Sequence, residues 1–187
     1  MLNNIEAVLA PSPSGASVEG GAQTSALPST LYDIEESLQA LIDTEELVSE
    51  DQAADYFAGK RVALFSVPGA FTPTCSAKHL PGYISRLEDF QKKGVEVACL
   101  SVNDAFVMGA WGRDQKSTGK VRMMGDGSAD FTKGTGLTLD LTARGMGLRS
   151  NRYSMLVKDG KVATLNIEGP GKFEVSDADT MLAQAKG

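Results

Sequence analysis

Cys75 follows an apolar stretch and a short loop, where the sequence pattern predicts the start of a helix. The apolar stretch ends at Val67 and is followed by Pro68-Gly69. The unpaired N–H groups and the partial positive charge of a helix start stabilise a thiolate, which is the reactive form of cysteine. An isolated cysteine can instead be a small buried apolar residue, but the polar neighbours Thr74 and Ser76 favour a reactive thiol.

Three blocks of the sequence resemble the peroxiredoxins. The first, Pro68–Gly82, contains the signature Pro-x-x-x-Thr-x-x-Cys, and its continuation Cys-Ser-x-x-His-Leu-Pro-Gly resembles the type II, or peroxiredoxin-five-like, branch. The second and third blocks, Ala98–Val107 and Arg149–Met155, follow in the order and spacing of that branch. The resemblance covers about residues 48–187. It implies an α/β, thioredoxin-like fold with a central mixed sheet flanked by helices.

The resemblance also assigns roles to three further residues. It implies that the hydroxyl of Thr72 hydrogen-bonds a peroxide oxygen, although a hydroxyl three residues before Cys75 could equally cap the helix. It implies that the guanidinium of Arg152 favours the thiolate and stabilises the negative charge that develops on the peroxide. Arg149 is the alternative arginine. The ring of Pro68 is expected to shield the thiolate from water.

His79 is the only histidine in the chain and follows Cys75 by four residues, which predicts that both lie on one face of a helix. It could act as a general base. A thiolate that is already formed needs no base, however, so a packing or hydrogen-bonding role is favoured. One histidine and two cysteines are too few for the usual zinc ligands. No metal and no cofactor are therefore expected.

The second cysteine, Cys99, lies in the apolar run 95–102, which is typical of a central buried strand. A resolving cysteine must bring its Cα atom to about 4.4–6.8 Å from that of Cys75, and a central strand would have to distort to allow this. Some peroxiredoxins carry a resolving cysteine near the C-terminus, but the matching segment 169–176 has none. A one-cysteine enzyme is therefore predicted.

The expected activity is thiol-dependent reduction of hydrogen peroxide and alkyl hydroperoxides through a sulfenic acid at Cys75. Glutathione with glutaredoxin, or thioredoxin, is the expected reductant, and the resemblance implies a homodimer. Two alternatives remain open. A peroxide sensor or holdase would use the same first step without rapid turnover. A thioredoxin-like disulfide reductase needs a second cysteine three residues after the first, where this chain has Lys78.

The N-terminal quarter of the chain differs from the rest in composition. Residues 1–30 include a stretch rich in Pro, Ser, Gly and Ala, and are predicted to be a flexible or surface-laid extension. Over residues 31–47, Leu and Ile recur at helical spacing among acidic residues, which predicts an amphipathic acidic helix. Eleven of the 24 acidic residues precede Lys60, the first basic residue. Residues 60–187 therefore contain the other 13 acidic residues and all 18 Lys and Arg. Residues 48–187 are predicted to form the peroxiredoxin domain.

Composition excludes several other classes of protein. No apolar stretch is long enough to cross a bilayer, and the basic residues are scattered, so neither a membrane nor a nucleic acid is an expected partner. Two cysteines do not suggest a disulfide scaffold. The acidic, arginine-free N-terminus does not resemble a targeting segment. A cytoplasmic location is therefore expected.

The pattern beyond residue 50 alternates between helices and strands. The predicted elements are strands at 61–67, 95–102 and 121–124, helices at 51–57, 104–116 and 128–133, and a hairpin with strands at 153–158 and 161–167. A helix that begins near Thr74 should be kinked by Pro81-Gly82, because proline interrupts helical hydrogen bonding. The final helix is predicted over 176–185, with Ser176 as its N-cap.

Overall fold

The computed structural model describes residues 41–43 and 56–186. The strands are β1 (Leu41–Asp43), β2 (Arg61–Val67), β3 (Glu96–Ser101), β4 (Arg122–Asp126), β5 (Thr138–Leu141), β6 (Gly147–Ser150), β7 (Tyr153–Lys158) and β8 (Lys161–Ile167). The α-helices are α1 (Leu80–Ser85), α2 (Leu87–Lys92), α3 (Ala105–Asp114), α4 (Asp130–Gly134) and α5 (Ala178–Gln184). A π-helical turn, Cys75–His79, precedes α1, and a 3₁₀ turn, Thr142–Arg144, joins β5 to β6.

Six of the strands form one mixed sheet in the order β1-β4-β3-β2-β7-β8. The central strands β2, β3 and β4 run parallel, whereas β7 pairs antiparallel with β2 and β8 antiparallel with β7. Strands β5 and β6 form a separate antiparallel pair. Because β2 and β3 are parallel neighbours, the loops that follow them leave the same edge of the sheet. This edge carries the segment with Cys75.

Alternate residues of β2 point to opposite faces of the sheet, and each face is covered by its own apolar cluster. Ala63, Phe65 and Val67 pack with residues of α1, α2, α3 and α5, whereas Val62 and Leu64 pack with Phe131 of α4 and residues 56–57. Every residue of β2 after Arg61 is buried. A strand buried on both faces requires a continuous apolar run, which explains why the pattern predicted β2 so clearly.

The structure confirms much of the predicted α/β pattern. Strand β2 and both strands of the β7–β8 hairpin have the predicted limits, and the other predicted strands and helices of the described region are found with ends shifted by a few residues. The β5–β6 pair was not predicted. Of the helix predicted at 51–57, the described residues 56 and 57 are helical.

The helical segment changes type directly before Pro81-Gly82, where a kink was predicted. The π-helical turn ends at His79 and α1 begins at Leu80, so Pro81 stands in the first turn of α1. A break in the helical dihedral angles follows at Arg86, between α1 and α2, where φ is −104° and ψ is 6°.

The predicted N-cap of the last helix, Ser176, is wrong. Asp177 caps α5 by accepting a hydrogen bond from the Thr180 N–H, because the hydroxyl of Ser176 donates to Glu168.

Part of the predicted N-terminal helix is a strand. Residues 41–43 pair antiparallel with β4, from Leu41 opposite Asp126 to Asp43 opposite Met124. The prediction of an acidic helix over 31–47 is therefore wrong for these three residues, because pairing with β4 takes the place of helical hydrogen bonds. The rest of that range and the extension at 1–30 lie outside the described residues. Within 41–43 and 56–186, the structure contains no helix of the length and apolar character that a membrane span requires.

Candidate active site

Cys75 is the first residue of the π-helical turn and is completely buried. The N–H of Leu80 donates to the carbonyl oxygen of Cys75, five residues earlier, which is the spacing that defines a π turn. The N–H of Ser76 donates to the carbonyl oxygen of Thr72 at 3.0 Å. The sequence therefore predicted correctly that Cys75 begins a helical segment, although not that its first turn is wider than an α-helix.

The loop from Pro68 to Thr74, here called the cysteine loop, has a tightly specified path. A Cβ atom at Gly69 would lie 3.1 Å from both Arg149 Nη1 and Thr72 Cγ2, so a side chain there would crowd both. Phe71 has a φ of 60° and is 54% exposed. A bulky residue seldom adopts this backbone conformation. The N–H of Ala70 donates to Asn103 Oδ1 at 2.9 Å, which ties the loop to the segment after β3.

The structure brings Arg152 to the sulfur of Cys75. Arg152 Nη2 donates to Cys75 Sγ at 3.4 Å, and Arg152 Nη1 donates to His79 Nδ1 at 3.0 Å. The two ends of one guanidinium are therefore engaged by the first and last residues of the π-helical turn. A cation that donates to sulfur stabilises a thiolate and can stabilise charge on a bound oxygen.

His79 lies on the same side of the turn as Cys75, as the spacing predicted. It is fully buried, and its Nε2–H donates to the carbonyl oxygen of Ser176 at 3.0 Å while its Nδ1 accepts from Arg152. Burial, and then the charge of Arg152, lower the pKa of His79 to about 3. A neutral imidazole with both nitrogens engaged fits the hydrogen-bonding role that was favoured over that of a general base.

The other predicted site residues lie within the cysteine loop or against it. Thr72 Oγ1 donates to the carbonyl oxygen of Gly69 at 2.8 Å, which leaves its lone pairs available to accept. Pro68 directly follows β2. Arg149, the alternative arginine, donates through Nη1 to the carbonyl oxygens of Pro68 and Val102 at 3.4 Å and through Nε to that of Met146 at 2.8 Å. Arg149 thus binds main-chain carbonyl groups in and around the cysteine loop, whereas Arg152 contacts the sulfur.

Cys99 lies in the middle of β3, opposite Phe65 of β2 and Met123 of β4. It is fully buried and belongs to the same apolar cluster as Cys75. Burial, and next the nearby Cys75, raise the pKa of the Cys99 thiol well above its usual value. Both cysteines are free thiols in this structure.

Sequence reasoning missed several residues that support the site. Trp111 of α3 donates through Nε1 to Ser76 Oγ at 3.0 Å. Phe173 packs its ring 4.8 Å from that of His79 and 5.7 Å from the Arg152 guanidinium. Glu168 organises the segment that carries Phe173, and no local pattern indicates this. Among residues 41–43 and 56–186, no three His, Cys, Asp or Glu side chains are arranged to hold a metal ion.

Comparisons with known proteins show similarity over most of the chain. The family model described as Redoxin matches residues 30–182. Peroxiredoxin-2B of Arabidopsis thaliana is 52% identical over 67% of this chain and 78% of its own length. Peroxiredoxin sll1621 of Synechocystis sp. is 50% identical over 74% of this chain and 77% of its own length.

Solved structures of peroxiredoxins share the fold. Reduced Prx3 of Vibrio vulnificus in complex with H₂O₂ superimposes with a TM-score of 0.68 at 53% identity, over 71% of this chain and 83% of that one. Oxidized Prx3 from the same organism gives a TM-score of 0.68 at 46% identity, over 87% and 98%. The central mixed sheet flanked by helices is thus the predicted thioredoxin-like fold, and the chain belongs to the peroxiredoxins, thiol-dependent peroxidases, in their type II (peroxiredoxin-five-like) branch.

Proposed function

We propose that this chain reduces hydrogen peroxide and alkyl hydroperoxides through a sulfenic acid at Cys75, in a one-cysteine cycle. The observation that carries the proposal is the pair of hydrogen bonds from Arg152, one to Cys75 Sγ and one to His79. The guanidinium is held in place before the substrate arrives, and such preorganised donors stabilise charge as it develops.

The first step forms one bond and breaks another. The thiolate of Cys75 attacks one peroxide oxygen, the O–O bond breaks, and the leaving oxygen departs as water or an alcohol after it takes up a proton. Arg152 would stabilise the negative charge on the leaving oxygen. The hydroxyl of Thr72 donates to Gly69, so its lone pairs can accept a hydrogen bond from the peroxide O–H. Pro68 would limit the access of water to the sulfur.

The second half of the cycle uses an external thiol. A thiol condenses with the sulfenic acid to form a mixed disulfide and water, and a second thiol releases the Cys75 thiolate and a disulfide product. Glutathione with glutaredoxin, or alternatively thioredoxin, is the proposed source of both thiols.

The position of Cys99 supports a cycle without an internal disulfide. Its strand is held by ladders to β2 and β4 at the centre of the sheet. A disulfide would require Cys99 to approach Cys75 with defined geometry, and the backbone of β3 could move only by breaking these ladders. The chain has no third cysteine.

The test is peptide mapping after one equivalent of H₂O₂ in the presence of a sulfenic-acid trap. We expect adduct at Cys75 and unmodified Cys99, followed by continuous peroxide consumption when glutathione and glutaredoxin are added. Consumption that stops after about one equivalent with every thiol donor would instead favour a sensor or holdase. A Cys75–Cys99 disulfide would overturn the one-cysteine cycle.

We also propose that the protein is a homodimer that resides in the cytoplasm. Phe71 and Phe106 are 54% and 87% exposed, and they follow the parallel strands β2 and β3 at one edge of the sheet. Two large exposed apolar side chains at one edge favour a contact with a second copy. Sedimentation of the wild-type chain and of Phe106→Ser tests this proposal.

The proposed location in the cytoplasm is supported by the two free thiols, which fit a reducing compartment. Cell fractionation tests it.

A further inference from the structure

Glu168 has a buried carboxylate that accepts an unusual number of hydrogen bonds. Only 8% of the residue is exposed. Its Oε1 accepts from the N–H groups of Glu174, Val175 and Ser176, each at 2.8 Å, and from Ser176 Oγ at 2.9 Å. Residues 168–176, here called the Glu168 loop, are therefore folded around this single oxygen atom.

The Glu168 loop and the active site are joined in a closed ring of hydrogen bonds. The Glu168 N–H donates to the carbonyl oxygen of Arg152 at 3.0 Å. The Glu168 carboxylate holds Ser176, the Ser176 carbonyl oxygen accepts from His79 Nε2, and His79 Nδ1 accepts from Arg152 Nη1. Arg152 is thus fixed at its backbone and at its guanidinium by two arms that both start at Glu168.

Two further contacts tie the same loop to the same site. Tyr83 of α1 donates to the Ser176 carbonyl oxygen at 3.0 Å, alongside His79. Phe173 lies against both His79 and the guanidinium of Arg152.

The loop also sets the charge of Glu168. Burial acts to raise the pKa of Glu168, but the hydrogen bonds from the loop more than offset it and lower the pKa below the usual value. The carboxylate is therefore ionised at neutral pH, and its charge strengthens the four bonds.

We infer that Glu168 is a positioning residue of the peroxidase reaction, which holds the Arg152 guanidinium against Cys75 Sγ through Ser176 and His79. It touches neither the sulfur nor the peroxide. The inference rests on the proposed role of Arg152 in the reaction. It predicts that loss of the Glu168 charge lowers the rate only while Arg152 is present.

A double-mutant cycle tests this prediction. The second-order rate constant of reduced enzyme with H₂O₂ is measured for the wild type, Glu168→Gln, Arg152→Ala and the double variant. Removal of one preorganised donor typically lowers a rate by about 10²–10³-fold, which is the effect expected of Arg152→Ala. Glu168→Gln keeps the shape and one acceptor oxygen but loses the charge, and an effect of about tenfold is expected. The double variant should match Arg152→Ala alone.

The matched control is Glu174→Gln, on the same loop, whose exposed carboxylate pairs with Lys172 at 3.1 Å. It should retain the wild-type rate. If Glu168→Gln does not fold, Ser176→Ala replaces it, because this variant removes only the hydroxyl donor; about a twofold loss is expected.

Each other outcome is decisive. An equal loss from Glu168→Gln in the presence and absence of Arg152 would show a merely structural role and overturn the inference. So would an unchanged rate for Glu168→Gln beside a large loss for Arg152→Ala. An unchanged rate for Arg152→Ala would instead overturn the proposed function of Arg152.

Discussion

The two cysteines are equally buried but differ in almost every other respect. Both are fully inaccessible, and both belong to the apolar cluster on one face of the sheet. Cys75 begins a helical turn after a loop and has a guanidinium 3.4 Å from its sulfur. Cys99 lies within a central strand between two ladders, and burial raises the pKa of its thiol. Burial therefore does not distinguish the two thiols; the main-chain setting and the nearest cation do.

The contrast predicts opposite results for removal of the two sulfurs. Cys75→Ser should abolish peroxide consumption, because the nucleophile is lost. Cys99→Ala should retain turnover within about twofold, although it should lower the free energy of unfolding by about 1 kcal/mol through lost packing. Peroxide consumption with dithiothreitol as reductant and urea unfolding measure the two effects. Loss of turnover in Cys99→Ala, at intact stability, would contradict the prediction that Cys99 takes no part in turnover.

A smaller effect should follow from the hydroxyl near Cys75. Thr72→Val keeps the shape of the side chain but cannot accept a hydrogen bond from a peroxide, and we expect about a tenfold lower rate constant with H₂O₂. Thr72→Ser keeps the hydroxyl and is the control. Both variants are compared by stopped-flow mixing of the reduced enzyme with peroxide. Equal rates for Thr72→Val and Thr72→Ser would remove Thr72 from the reaction.

His79 combines features of both cysteines, because it is as buried as Cys99 but contacts Arg152 as Cys75 does. Its pKa is lowered to about 3 in the folded state, so the unfolded chain binds the proton first as the pH falls below about 6.5. The contribution of His79 to the free energy of unfolding is therefore present above that pH and is lost as the pH falls. The expected loss is about 2 kcal/mol between pH 7.5 and pH 5.

Urea unfolding of the wild type and of His79→Gln at both pH values measures this loss. Asp126, whose pKa is raised by burial, acts in the opposite sense, so the difference between the two proteins isolates the histidine. Equal pH dependence in both would contradict the neutral, buried state of His79.

Local patterns were enough to predict a strand that is buried along its length and a hairpin that is joined by a characteristic turn. Strand β2 is buried almost throughout, and the β7–β8 hairpin turns at Asp159-Gly160, where both residues have positive φ. The β5–β6 pair was missed because β5 has no buried position and because a 3₁₀ turn, rather than a two-residue turn such as Asp159-Gly160, joins it to β6. Its register depends on the partner strand rather than on its own sequence.

The sequence predicts the site residues whose role follows from their residue type. It does not predict a residue whose role depends on contacts with main-chain groups elsewhere in the chain. Cys75 and Arg152 stand in recognisable blocks, and the structure brings them together. Glu168 binds three N–H groups six to eight residues further along the chain, which no periodicity encodes. The same contact explains the misassigned helix cap, because Ser176 and Asp177 are equally good caps until Glu168 engages Ser176.

The hydrogen bond from Trp111 to Ser76 places a fluorescent side chain beside the proposed site of oxidation. Trp111 is the only tryptophan in the chain, so all tryptophan emission comes from one indole. That indole is bonded to the residue next to Cys75. If a bulkier, oxidised sulfur displaces the π-helical turn, the surroundings of this ring change with it. We therefore expect that fluorescence can follow the formation and reduction of the proposed sulfenic acid without an attached dye.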